Sequence, residues 1–158
     1  VLVDLGHHLQ GANVEQIVAY LAAMDDLGGF HFNDSKYADD DLVTGSLDPA
    51  ELFRIFATLR EADRRGHQAL HDVDYMLDQV HYVRDPTTAL VESIENIQLA
   101  YLASGLIDWE ALETHRANGE MIAADRVISD ARRTDVRPVL REWREERELP
   151  TDPIGALE

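Results

Sequence analysis

Gly29-Phe30-His31-Phe32-Asn33-Asp34-Ser35-Lys36-Tyr37-Ala38-Asp39-Asp40-Asp41 is the stretch on which the reading of this chain turns. Phe30, His31, Phe32 and Asn33 alternate apolar and polar, the period of a half-buried strand, and the segment then gathers three consecutive carboxylates. A strand that runs into ligand-type side chains predicts a site at its C-terminal end. In an extended segment Asp39 and Asp41 share a face while Asp40 points away.

The same unit occurs on both sides of this stretch. Val1-Leu2-Val3-Asp4-Leu5-Gly6-His7-His8 opens with an apolar run that reads as a buried parallel strand, and Asn13 then caps a helix carrying Val14, Ile17, Val18, Leu21 and Met24 before Gly28-Gly29 stops it. After the acidic loop, Asp48 as N-cap and Pro49 at the first helical position predict a helix with Leu52, Phe53, Ile55, Phe56 and Leu59. The segment from His67 to Leu77 supplies a third strand, with Asp78 just past its end. Three strand-loop-helix units predict parallel strands joined by right-handed crossovers, and such folds place their chemistry at the strand C-termini. Asp4, His31 and Asp78 would converge on that edge. Three strands are too few to close a barrel, so the pattern predicts an incomplete fold.

From Asp85 onward the pattern is helical. Asp85-Pro86 opens a helix with Leu90, Ile94, Ile97 and Tyr101 on one face, Asp108 caps another, residues 119–128 are amphipathic, and the run from Arg141 to Glu148 reads as a charged, exposed helix. The expected division is therefore 1–84 for the strand-bearing units and 85–158 for a helical extension.

Composition narrows the function classes. The chain has 158 residues, 45% of them apolar, which suffices for a core, and no cysteine, so a metal must be held by His, Asp, Glu, carbonyls or water. A net charge of −17 repels phosphate backbones and argues against nucleic acid as a partner. No apolar run approaches the roughly 20 residues that span a bilayer, and no signal-peptide pattern precedes Asp4, so the expectation is a cytoplasmic protein with no membrane partner. Glycine-rich phosphate loops, HExxH and nucleophile elbows are absent.

Position separates the ligand candidates into two groups. Asp4, His31 and Asp78 lie at three strand ends; His7, Asp39 and Asp41 lie in the loops just beyond, where a second metal could sit. Each has a bland alternative, a satisfied core histidine or a solvated acidic loop, but Asp, His, His within five positions at a strand end is unusual for packing alone. His81, three residues after Asp78, could face the same cavity; His67, His71 and His115 carry no assignment.

VDLGHH at 3–8, GFHFNDSKYADDDL at 29–42 and LDQVH at 77–81 resemble the corresponding segments of the L-rhamnose isomerase family. That resemblance implies a metal-dependent aldose-ketose isomerase, with the chain as an α/β C-terminal part, about strands six to eight, of a (β/α)8 TIM barrel plus an α-helical C-terminal extension. It implies two divalent metal ions, manganese with cobalt or zinc as alternatives, an aldose or ketose substrate such as L-rhamnose or L-rhamnulose, and a homo-oligomer, by the family's habit a tetramer. Asp4, His31 and Asp78 match ligands of the substrate-binding metal; His7, Asp39 and Asp41 match those of the catalytic metal, and His7, Asp39, Asp41 and Asp78 are the implied catalytic residues. The family's Glu ligand and a neighbouring Lys come from an earlier strand, and Val80 stands where a small polar residue is expected. On that reading the 158 residues alone would bind metal poorly and not turn over sugar. Two rivals are a metal-dependent phosphodiesterase or endonuclease of related fold, disfavoured by the acidic charge, and a noncatalytic helical interaction module.

Overall fold

The computed structural model describes residues 1–37, 40–67, 69–80 and 84–157. Its sheet has three short strands, β1 (Leu2–Asp4), β2 (Gly29–Phe32) and β3 (Asp74–Leu77), all parallel and in the order β1-β2-β3. The helices are α1 (Val14–Ala23), α2 (Pro49–Arg64), α3 (Pro86–Ser104), α4 (Trp109–Ala117), α5 (Met121–Arg133) and α6 (Arg137–Glu145). The third strand is shorter than the His67 to Leu77 expectation, because Ala69 and Leu70 form turns whose amides are held by the Asp63 carboxylate at 2.7 and 3.0 Å.

Helix starts obey the capping chemistry of the sequence. Asn13, Asp48, Asp85 and Asp108 each accept a hydrogen bond from the backbone N–H three residues on, at 2.9, 2.7, 2.9 and 3.0 Å. Asp48→Ala should therefore lower stability by about 1 kcal/mol, read as a shifted urea midpoint with unchanged slope.

Strand periodicity divides the sheet into two unlike faces. Val3, Phe30 and Phe32 point to one side, where they join Val14, Val18 and Ala22 of α1 and Leu52, Ile55, Phe56 and Leu59 of α2 in a single core. Register places Asp4 beside His31 and His31 beside Met76, so these three share the other face, away from α1 and α2. Gly29 permits the close β2–β3 approach: a Cβ there would lie 2.8 Å from the Asp74 carbonyl oxygen. Helix α2 also faces the C-terminal helices, with Phe53 buried against Ala103, Ile107, Leu112, Ala124, Ala131 and Val136.

The expectation of strands six to eight of a (β/α)8 barrel is corrected by this architecture. The described residues form a small α/β domain with three parallel strands and six helices, not a barrel segment. Three strands of three or four residues cannot curve far enough for first to meet last, and β1 and β3 remain the two edges of an open sheet.

The charged run near the C-terminus also differs from its reading as a solvated helix. Helix α6 begins earlier, at Arg137, and Arg144 is 5% exposed, its guanidinium donating to Glu95 at 3.0 Å and to the Gln98 side-chain oxygen at 3.0 Å. Among the described residues no helix is long and apolar enough to cross a membrane.

Candidate metal centre

Asp4 ends β1, and the backbone then closes into a single 3₁₀ turn, Leu5–His7. Residues three apart eclipse in that geometry, which brings His7 back over Asp4, with Nδ1 2.6 Å from Asp4 Oδ1. Asp4 sits at the N-cap position of the turn but makes no capping bond with its side chain, which is turned to the histidines. Its other oxygen, Oδ2, lies 3.1 Å from His31 Nδ1 on the neighbouring strand. Asp78, one residue beyond β3, places Oδ2 3.0 Å from the same His31 nitrogen. Asp41 completes the group from the loop, its Oδ1 3.9 Å from His7 Nδ1.

Two sets of donors thus come together: Asp4, His31 and Asp78, and Asp4, His7 and Asp41, with the donor atoms in each within 4.8 Å of one another. The first set is the strand-end group read from the sequence. The second differs from its sequence version, because Asp4 turns one oxygen to each set, and Asp39 lies outside the described residues, as does His81. Among the described residues, His8 is in neither set, and its Nε2 is buried without a hydrogen-bond partner there. His67 and His115 pair with Asp25 and Glu120 elsewhere.

The loop is delivered by backbone pairing. Asp34 and Leu42 exchange hydrogen bonds of 2.9 and 2.7 Å, which folds the acidic segment back onto the end of β2, and Val80 N–H donates to the Asp41 carbonyl at 2.9 Å. The Asp34 carboxylate accepts from Gly45, Leu47 and Asp48 N–H, at 3.1, 2.7 and 3.2 Å. Asp40 accepts from Lys36 and Tyr37 N–H, both at 2.8 Å, and so holds the turn.

Asn33 joins the candidate centre at a position that sequence reasoning passed over. It is fully buried, and its amide nitrogen donates toward Asp4 Oδ1 at 3.0 Å, Asp41 Oδ1 at 3.3 Å and the Asp78 carbonyl at 2.9 Å, while its oxygen accepts from Gly6 N–H at 2.5 Å. The available signal was its place two residues after His31, on the same strand face.

Burial works to raise the pKa of Asp4, but hydrogen bonds from Asn33, His7 and His31, with the His7 charge, outweigh it and hold the carboxyl below its ordinary 3.8. A carboxylate kept ionised in a half-buried place suits a cation. The donor chemistry agrees: each set offers two carboxylates and one imidazole, the combination that suits manganese, cobalt or zinc over soft metals. An apolar cavity of about 470 Å³, lined among others by Phe56, Tyr75, Ile97, Tyr101, Leu140 and Trp143, lies on the helix side of the sheet and brings neither set of donors together.

Two curated proteins are similar to the chain. One, from Rhizobium meliloti (strain 1021), is named a probable sugar isomerase and is 43% identical over 155 residues. The other, a probable sugar isomerase of Mesorhizobium japonicum, is 44% identical over 154 residues. Each match covers 98% of this chain but 36% of the longer protein, so the chain spans little more than a third of the relatives it matches. No protein-family model matches. Identity at this level across nearly the whole chain makes it homologous to a segment of these proteins named probable sugar isomerase.

Proposed function

We propose that this chain, homologous to a segment of proteins named probable sugar isomerase, contributes the ligands of a two-metal centre in an aldose-ketose isomerase of the L-rhamnose isomerase type. The observation that carries the reading is the pair of Asp/His sets that share Asp4 at the C-terminal ends of adjacent parallel strands. Asp4, His31 and Asp78 would hold one divalent ion, and Asp4, His7 and Asp41, with Asp39 from the sequence, the other; manganese is the proposed ion, with cobalt or zinc able to replace it. Such ions, when bound, supply Lewis-acid polarisation of sugar hydroxyl and carbonyl oxygens.

The chain's own residues do the rest. Asp4, with 18% side-chain exposure, anchors both sets from below, while His7 and Asp78, at 46% and 56%, stand at the open surface where a polyol chain can reach them. His31 is held between Asp4 and Asp78, and that contact fixes its ring on the sheet face. His7 Nδ1 must give up any proton it shares with Asp4 before it can bind a cation, so metal affinity should fall as pH falls.

The test uses the intact protein. Treated with a chelator, it should lose conversion of L-rhamnose to L-rhamnulose, monitored by a ketose assay, and regain it on addition of Mn2+. Failure of the Mn2+-loaded protein to convert L-rhamnose, L-mannose or other aldoses would overturn the reading.

A further inference from the structure

We propose that Asn33 is the positioning residue of this centre, setting both metal sites at once through the carboxylate they share; the inference rests on the two-metal reading above. An amide nitrogen carries two hydrogens, yet that of Asn33 faces three acceptors within 3.3 Å, so at least one hydrogen is shared. Those acceptors belong to three different segments: Asp4 at the end of β1, Asp41 in the loop after β2, and Asp78 after β3. One side chain therefore ties the shared carboxylate to a donor segment of each set.

Two features fix the amide itself. Its oxygen accepts the Gly6 N–H, which leaves the nitrogen end directed at the carboxylates, and Gly6 packs so closely that a Cβ there would lie 2.6 Å from Asn33 Oδ1. Full burial removes water as a substitute partner. A carboxylate oriented in this way presents its remaining lone pairs in a fixed direction, the arrangement by which outer hydrogen bonds tune metal ligands. Because Asn33 reaches Asp4 and not only one set's private ligand, its loss should weaken both binding steps together.

Ser93 provides the comparison. It is equally buried, accepts from Thr44 N–H at 3.1 Å and donates to Gln79 Oε1 at 2.5 Å, and among the described residues no hydrogen bond of its hydroxyl goes to a ligand carboxylate.

The experiment is Mn2+ titration of the metal-free intact protein, with free Mn2+ read by electron paramagnetic resonance and folding checked by circular dichroism. Wild type should take up two ions per chain. Asn33→Leu, which removes the amide, and Asn33→Asp, which keeps size and the acceptor for Gly6 but removes the donor, should each weaken both steps about 10–100-fold, while Ser93→Ala binds as wild type. Asn33→Asp carries the test if the leucine variant does not fold. No Mn2+ uptake by wild type would overturn the two-metal reading and this proposal together. Two ions in wild type with unchanged binding in Asn33→Asp, a shift in one step only, or an equal loss in Ser93→Ala would overturn the proposal alone.

Discussion

Asp4→Asn in the intact protein should abolish both metal-binding steps together, and sugar turnover with them. The substitution keeps the size of the side chain and the register of β1, where Asp4 pairs with His31. It removes the negative charge that His7 and His31 flank at 2.6 and 3.1 Å, one on each oxygen. Replacing one partner outside the donor set costs roughly 10–100-fold in affinity, so losing a donor common to both sets should exceed that range. Asp78→Asn is the contrast: it touches one set only and should spare the step that depends on His7 and Asp41. Two separate Mn2+ stoichiometries, near zero for Asp4→Asn and near one for Asp78→Asn, are the expected readings. Retention of both ions by Asp4→Asn would mean that Asp4 is not a shared ligand.

Phe32→Ala should produce the largest loss of stability of any single truncation near the site, about 3–5 kcal/mol. Phe32 is fully buried, and its ring stacks on Phe30, Phe56 and Tyr75 with centroids 5.4, 6.0 and 5.8 Å apart. The substitution removes the transfer energy of the ring, leaves a cavity bounded by strands on one side and α2 on the other, and breaks three aromatic contacts worth about 0.5–1.5 kcal/mol each beyond their area. Against a typical domain stability of about 5–15 kcal/mol this is a large share, and denaturant unfolding would show it as a lowered midpoint. A loss under about 1 kcal/mol would mean the core collapses around the gap. Phe32 also lies between His31 and Asn33, so the variant should widen the spread of both side chains as well as weaken the fold.

Local chemistry was the part of this molecule most legible in its sequence. Asn13, Asp48, Asp85 and Asp108 act as caps because capping depends on three or four consecutive residues. The alternation of Phe30, His31 and Phe32 likewise separates core from open face within one strand. What depended on longer-range placement was less visible. That Asp4 serves two sets is a result of the tight turn after β1, which apolar patterning does not announce. Asn33 read as an ordinary polar position because its value lies in reaching three segments that meet only after folding. Arg144 sat in a run of charges that looked solvated, yet Glu95 and Gln98, nearly fifty residues away, supply the partners that let it be buried. The barrel expectation came from the family resemblance, since the three strand-helix units alone predicted only an incomplete fold, and the open three-stranded sheet replaces it.

The exchange of backbone hydrogen bonds between Asp34 and Leu42 has a kinetic meaning. Asp41 is delivered to the centre by a clasp rather than by the sheet, and the clasp can open without any strand parting from its neighbour. Local openings of this kind cost less free energy than global unfolding and recur far more often. On the proposed two-metal reading, Asp41 carried on such a hinge would let go while Asp4 and His31 stay in register, so the set with His7 and Asp41 would exchange an ion faster than the set built on paired strand ends.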